Sequence, residues 1–516
     1  MTEMTIIPSA GVSIPAPFRG RHLIGGVWCD SADGAVSDRH SPAHGTHVST
    51  AARGGATEAD AAIAAARTTF DAGDWPFSSG ASRAAILLKV ADLIERDLDR
   101  IALLETLESG KPISQAKAEI GGAADLWRYA ASLARMIHGD SHNSLGADML
   151  GVVLKEPIGV VSMITPWNFP FLIVSQKLPF ALAAGCTAVI KPSELTPSTT
   201  CILGELLFEA GLPAGVANIV LGFGDPVGEV LSTDPRVDMV SFTGSTGVGK
   251  QISAAASGTL KKVSLELGGK NPQVIFPDAD LDQAADAITF GVYFNAGECC
   301  NSGSRIIVHE DVAEELTAKV VALSRRVPFG DPLDPATQVG AIISPEHMAK
   351  IDGYVQDAVK DGARLAIGGA ALDVDGVGPQ FYQPTVVTDL REDMAIARDE
   401  VFGPVLAVLT FRTLDDALSL CNNATYGLSA GVWSKDMSTC LSFARRVQAG
   451  TVWTNTWMDG FPEMPFGGVK ESGQGRELGR YGLEEFLEVK TVQMRIGDSR
   501  QMWVTPEGVQ SADLSE

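Results

Sequence analysis

Two adjacent cysteines, Cys299 and Cys300, stand in the glycine-flanked loop Gly297-Glu298-Cys299-Cys300-Asn301-Ser302-Gly303. A helical pattern precedes them, and the strand-like run Arg305-Ile306-Ile307-Val308-His309 follows. A thiol at such a joint can be held open to a substrate as a nucleophile. The competing fate of a free cysteine is burial as a small apolar side chain. Other segments also carry chemistry. Pro166-Trp167-Asn168-Phe169-Pro170 sets an amide between prolines, able to donate to a developing oxyanion. Leu265-Glu266-Leu267-Gly268-Gly269-Lys270 and Glu400-Val401-Phe402-Gly403-Pro404 each place a carboxylate near glycines. No histidine motif accompanies the thiol, so the set is not papain-like; it suits a thiol that forms a thioester.

Phosphate signals come next. Gly222-Phe223-Gly224-Asp225-Pro226-Val227-Gly228 is one residue longer than a dinucleotide fingerprint and is weak alone. Phe242-Thr243-Gly244-Ser245-Thr246-Gly247-Val248-Gly249-Lys250 follows a strand pattern and opens a helix, a setting that favours anions. Gly244 to Lys250 also fits the start of a P-loop, but Gln251 replaces the magnesium-binding hydroxyl. Lys191-Pro192-Ser193-Glu194 sits at a strand's carboxyl end, where open α/β sheets bind ligands.

These residues need elements to position them. Apolar runs at Val160 to Ile164, Thr187 to Ile190, Val216 to Val220 and Val237 to Phe242 alternate with helical patterns at Phe171 to Ala184 and Thr196 to Ala210. A second series covers Val274 to Phe276, Arg305 to His309, Val405 to Phe411 and Thr451 to Asn455. Such alternation predicts parallel sheets covered by helices, an α/β fold of two units joined near residue 267 with a ligand cleft between them. Upstream, helices are expected from Thr57 (as cap) to Arg67, across Ser82 to Glu108 as a pair, and from Ile120 to His138.

The 516 residues allow two or three domains, and the net charge of -23 argues against sequence-independent nucleic-acid binding. Seven cysteines of irregular spacing and no CxxC do not read as a disulfide or zinc framework. His40, His44 and His47 read as solvated loop residues, and no metal is expected. No signal peptide or membrane span is evident, so a cytoplasmic protein is expected.

Together the motifs resemble the NAD(P)-dependent aldehyde dehydrogenase superfamily, hydrolytic type, from about Leu23 to Val492. They stand in the family order and include Pro465-Phe466-Gly467-Gly468-Val469-Lys470. The resemblance implies two Rossmann-like α/β domains and a small β oligomerisation element. It implies a cofactor domain at 18–139 and 156–266 and a catalytic domain at 267–470. The oligomerisation element would be 140–155 with 485–498, and 1–17 a loosely held arm. Cys300 becomes the nucleophile, Asn168 the oxyanion donor and Glu266 the general base, with Lys177 and Glu477 as a proton-exit pair. NAD, rather than NADP, would be held by Ile164, Thr165, Trp167, Lys191, Ser193, Glu194, Gly224, Phe242, Gly244, Ser245, Val248, Leu267, Gly268, Glu400 and Phe402. Glu194 carries the NAD preference, because its carboxylate would repel a 2′-phosphate.

Phe169, Phe294, Trp457 and Phe466 resemble the lining of an aldehyde tunnel. A broad aliphatic or aromatic aldehyde is the favoured substrate. A betaine or amino aldehyde is the alternative, since Asp459 and Glu463 could favour a cation while Gln176 weakens an aromatic box. The other classes are a non-catalytic relative, an esterase and a P-loop ATPase. A homodimer or homotetramer is expected. One departure stands out: Glu298 occupies a position where the family usually has Gln, and a carboxylate facing the sulfur would oppose thiolate formation.

Overall fold

The computed structural model describes residues 4–497, 504–505 and 508–509; Met1 to Glu3 of the expected arm and residue 498 of the expected oligomerisation element lie outside them. The runs Val160–Ile164 and Thr187–Lys191 are strands buried along their whole length, as continuous apolar sequence requires of a sheet covered on both faces. They belong to an eight-stranded sheet. Its parallel centre runs Lys262–Glu266, Met239–Thr243, Val160–Ile164, Thr187–Lys191, Ala217–Ile219. The strand order reverses beside Val160–Ile164, which puts a crevice at the carboxyl ends Ile164 and Thr243.

The second sheet has seven strands and the same logic. Pro272–Ile275 lies in its middle, flanked by Arg305–His309 and Ser429–Trp433, with Thr451–Thr454 at one edge. The fold is therefore α/β, with two Rossmann-like units. A third, antiparallel sheet pairs Leu487–Arg495 with Met149–Pro157 and Asp140–His142, and its outer strands are largely exposed.

Several local details differ from expectation. The helix expected from Thr57 is Ala56–Ala72, and its N-cap is Gly55. Glu58 Oε2 reaches back to accept the Gly55 N–H at 2.7 Å, so the carboxylate does the capping. The stretch holding His40, His44 and His47 is a β hairpin, Val36–His40 with His47–Ala52, and not a plain loop. His44 Nε2 lies 3.0 Å from Asp331 Oδ1. Among the described residues no group of side chains could hold a metal ion, and no helix is long and apolar enough to cross a membrane. Within the segment expected as an arm, Ile6 and Ile7 pair with Phe329 and Gly330.

Candidate active site

The crevice between the two sheets is a cleft of about 470 Å³. Asn168 enters it from the turn after Val160–Ile164, just before the helix Pro170–Ala184. Pro170 starts that helix because its missing N–H costs nothing in the first turn. Glu266 ends its strand, and Thr243 ends the neighbouring one. Ser245 caps the helix Thr246–Ala256 through its hydroxyl, which aims the helix N-terminus at the cleft. The helix Leu281–Tyr293 gives way to the turn Phe294–Gly297, where Asn295 and Ala296 hold left-handed backbones at φ 51° and 55°. Gly297, at φ 74°, presses against the backbone of Gly403 and Pro404, and a Cβ there would sit 2.7 Å from Pro404 N. The thiol turn and the Glu400 loop thus close on each other.

Cys300 is half-buried on the cleft wall, while Cys299 is buried against Phe169 and Ile173. The carbonyl of Cys300 accepts from Asn271 Nδ2 at 2.7 Å. A hydrogen bond with Cys299, then burial, then Glu266 and Glu400 push the Cys300 thiol well above its ordinary pKa. One N–H of the Asn168 amide donates to the Glu298 carbonyl at 3.0 Å, and the amide has a second N–H to offer.

Glu266 is 4% exposed, and both its oxygens lack a hydrogen-bond partner of ordinary geometry. Burial first, and Glu477 second, raise its pKa well above the carboxylate range; Lys177, Arg476 and the Gly468 backbone pull the other way. Lys177 is buried, ion-paired with Glu477 and bonded to Ser241 Oγ at 3.1 Å. Glu477 lines the cleft and Lys177 stands behind it.

The glycine-rich end of the cleft is lined by Trp167, Gly244, Ser245, Leu267, Gly268, Glu400 and Phe402. Gly269 N–H donates to Glu400 Oε1 at 2.9 Å, and burial pushes the Glu400 carboxyl up to about 7. Ile164, Thr165, Lys191, Ser193, Glu194, Phe242, Gly224 and Val248 do not line the cleft itself. Ile164, Lys191 and Phe242 sit at the carboxyl edge of the first sheet, with Thr165, Ser193 and Glu194 just beyond it. Lys191 Nζ is buried, 3.8 Å from Glu194 Oε2, and Gly224 and Val248 are exposed. A helix N-terminus, a lysine–glutamate pair at a strand end and a second carboxylate fit a dinucleotide's pyrophosphate and its two riboses.

At the other end stand Phe169, Phe294 and Phe466, with Phe290, Trp453, Met458 and Phe461. Trp457 is a correction. It is 4% exposed and does not line the cleft. Its ring packs where Gly291, Gly303 and Gly431 leave room, and Trp453 takes the wall position. Asp459 lines the cleft, while Glu463 does not. Glu298 is resolved: its Oε1 accepts the Ile343 N–H at 2.9 Å, so the carboxyl faces away from the sulfur.

Two charged lining residues carried no sequence signal. Lys350 projects from the helix Pro345–Lys360 beside Glu400, with Nζ 3.4 Å from its carbonyl. Glu119, in the helix Ile113–Ala134, belongs to a buried set with Lys111 and Glu105. Lys111 Nζ also lies 4.2 Å from the centroid of the Phe169 ring. Burial pushes Glu119 up to about 8, and its Oε1 has no partner.

A thiol, an amide donor and a buried carboxylate thus meet in one cleft beside the carboxyl edge of a parallel sheet, an arrangement that suits a cofactor-dependent enzyme with a thiol nucleophile. The chain belongs to the aldehyde dehydrogenase family, whose model matches residues 28–492. It is 44% identical to betaine aldehyde dehydrogenase of Bacillus subtilis, covering 91% of this chain and 96% of that one. It is 42% identical to aldehyde dehydrogenase 1A1 of Gallus gallus, over 94% and 96%. Among solved structures, an NAD-dependent aldehyde dehydrogenase from Sinorhizobium meliloti superposes with a TM-score of 0.94 at 49% identity, covering 97% and 99%. Betaine aldehyde dehydrogenase from Staphylococcus aureus in complex with NAD+ superposes at 0.92 with 39% identity, over 94% and 97%.

Proposed function

We propose that the protein oxidises an aldehyde to its carboxylic acid with NAD, through a thioester on Cys300. The observation that carries this is Cys300, Asn168 and Glu266 facing one cleft whose far end suits a dinucleotide. Cys300, as thiolate, adds to the aldehyde carbon, and the oxygen takes up negative charge beside the free N–H of Asn168 and the Cys300 N–H. NAD, held by Lys191, Ser193, Glu194, Ser245, Glu400 and Phe402, supplies the hydride acceptor. Glu266, with its oxygens unpaired, takes a proton from the water that cleaves the thioester. The Lys177–Glu477 pair behind it passes that proton outward.

An apolar aliphatic or aromatic aldehyde suits the phenylalanine walls. A cationic aldehyde is the second reading, favoured because Asp459 lines the substrate end while Lys350, the lining lysine, stands beside Glu400. NADH absorbance with aliphatic, aromatic and trimethylammonium aldehydes, run with NAD and with NADP, tests all of this. Turnover with NAD and a preference of about tenfold over NADP are expected, since an added 2′-phosphate meets the Glu194 charge. No NADH from any aldehyde would overturn the activity, and equal rates with the cation and its neutral isostere would overturn the second reading.

Residues 18–139 with 156–266 form the cofactor domain and 267–470 the catalytic domain in this reading. The exposed strand Leu487–Arg495, with Val489 65% exposed, calls for a partner copy, because unpaired strand edges invite pairing. Sedimentation is expected to give a homodimer or homotetramer; a monomer at micromolar concentration would refute this. Free thiols at all seven cysteines suit a reducing cytoplasm.

A further inference from the structure

We propose that Glu298 is a positioning residue: its buried carboxyl ties the turn bearing Cys300 to Ile343 and His347, which pack behind Trp167 and Phe402 on the cleft wall. The inference rests on the activity proposed above and adds a residue to it.

Glu298 works in two directions. Its main chain serves the thiol side, where its carbonyl accepts from Asn168 Nδ2 at 3.0 Å and from Asn295 Nδ2 at 3.0 Å. Its side chain serves the opposite side. Oε1 accepts the Ile343 N–H at 2.9 Å and lies 3.8 Å from His347 Nε2. His347 Nε2 donates to the Phe402 carbonyl at 2.6 Å, so the ring carries its proton there. The same ring meets Trp167 and Phe402 edge-on, at centroid distances of 5.7 and 5.8 Å. Phe402 holds a left-handed backbone at φ 60°. A non-glycine residue keeps such a conformation only when its surroundings hold it. The His347 hydrogen bond is part of that hold, and Glu298 stands behind His347. Gly297, packed on Gly403 and Pro404, makes the adjacent contact between the same two loops.

The charges around Glu298 explain its state. Arg39, from the strand Val36–His40, spends its guanidinium on the carbonyls of Glu108 and Ile343. Lys111 is committed to Glu105 and Glu119. His347 is pushed down to about 4 by burial, and Lys350 one turn on also disfavours its protonation, so no imidazolium is present to pair. Cys299 and Cys300, on the same turn, offer no positive charge. Burial therefore wins and raises the Glu298 pKa well above the carboxylate range, against the Ile343 N–H, Arg39 and Lys111. The neutral acid is present below that raised pKa and is lost as pH rises through it. Ionisation then sets a negative charge 3.8 Å from His347 Nε2 and draws its proton away from the Phe402 carbonyl. The wall beside the cofactor site loosens.

Steady-state kinetics across the neutral-to-alkaline range, with NAD affinity from tryptophan-fluorescence quenching, test this on the full-length enzyme. Glu298→Gln is expected to keep kcat and the KM for NAD within about twofold at neutral pH, and to abolish the alkaline rise in that KM seen with native enzyme. Glu298→Ala is expected to raise the KM for NAD about 5–10-fold, the loss of about one buried hydrogen bond. His347→Ala should give a similar rise, and the double variant should be no worse than either single one. The proposal falls if Glu298→Gln is as impaired as Glu298→Ala, if native enzyme and Glu298→Gln share one alkaline profile, or if Glu298→Ala binds NAD normally. Fluorescence reads NAD binding even if no aldehyde is turned over, so failure of the proposed activity is distinguishable from failure of this role.

Discussion

Cys300→Ser is expected to lower aldehyde-dependent NADH formation by at least about 10³-fold while leaving NAD affinity within about twofold. A serine hydroxyl fills nearly the same volume, so the half-buried position on the cleft wall should tolerate it. A serine hydroxyl stays protonated at any working pH, so the thiolate's nucleophilicity is lost. The thiol itself begins at a disadvantage, raised by its hydrogen bond with Cys299, by burial and by two carboxylates. A raised thiol pKa means the thiolate gains as pH rises, so native kcat/KM should climb with pH. Cys299→Ser is the matched control. Cys299 is 5% exposed and packs against Phe169 and Ile173. Its replacement should cost less than about tenfold in rate and shift the thiol's titration, because it changes the group bonded to Cys300. Loss of activity in Cys299→Ser with native rates in Cys300→Ser would reverse the assignment of the pair.

The legible parts of this chain are those where structure is local. Val160–Ile164, Arg305–His309 and Val405–Phe411 are read directly from apolar runs and match the observed strands. Thr187–Lys191 runs one residue past its apolar run because a lysine's aliphatic stem can stay in the sheet while its amine reaches the edge. Asn168 and Cys300 were visible because prolines and glycines mark the turns that present them. Trp457 was not, because which of two nearby tryptophans faces the cleft depends on space left by Gly291, Gly303 and Gly431, residues far apart in sequence. Nothing local in the sequence marks Glu119 or Lys111; only the ion pair between them and the approach of Lys111 to the Phe169 ring give them a place at the site. Thr57 lost its cap to Gly55 because the Glu58 carboxylate reaches back to the Gly55 N–H, a bond that residue preference at the cap alone does not weigh. The direction of Glu298 depends on Ile343, which approaches only when the second sheet's connections close over the thiol turn.

Glu266→Gln is the second large effect, and it should separate the two halves of the reaction. The amide keeps the shape of the carboxyl at the end of Lys262–Glu266 but accepts no proton. Steady-state kcat is expected to fall by about 10²–10⁴-fold, the range for a lost general base. Rapid mixing should still show a burst of about one NADH per active site, with the acyl group recovered on Cys300 by mass spectrometry. The native enzyme's pH profile carries a second signature. The Glu266 pKa is raised by burial and by Glu477, so the carboxylate form gains as pH rises and kcat should rise with it. Glu477→Gln removes the negative neighbour and leaves the buried Lys177 amine without its partner, facing Glu266. Both changes lower the Glu266 pKa, so the acid limb of kcat should move to lower pH even though the proton route is damaged and the plateau falls. In Glu266→Gln that limb should disappear, since the titrating group is gone. A variant that loses the burst along with steady turnover would place Glu266 in thiol activation instead of thioester hydrolysis.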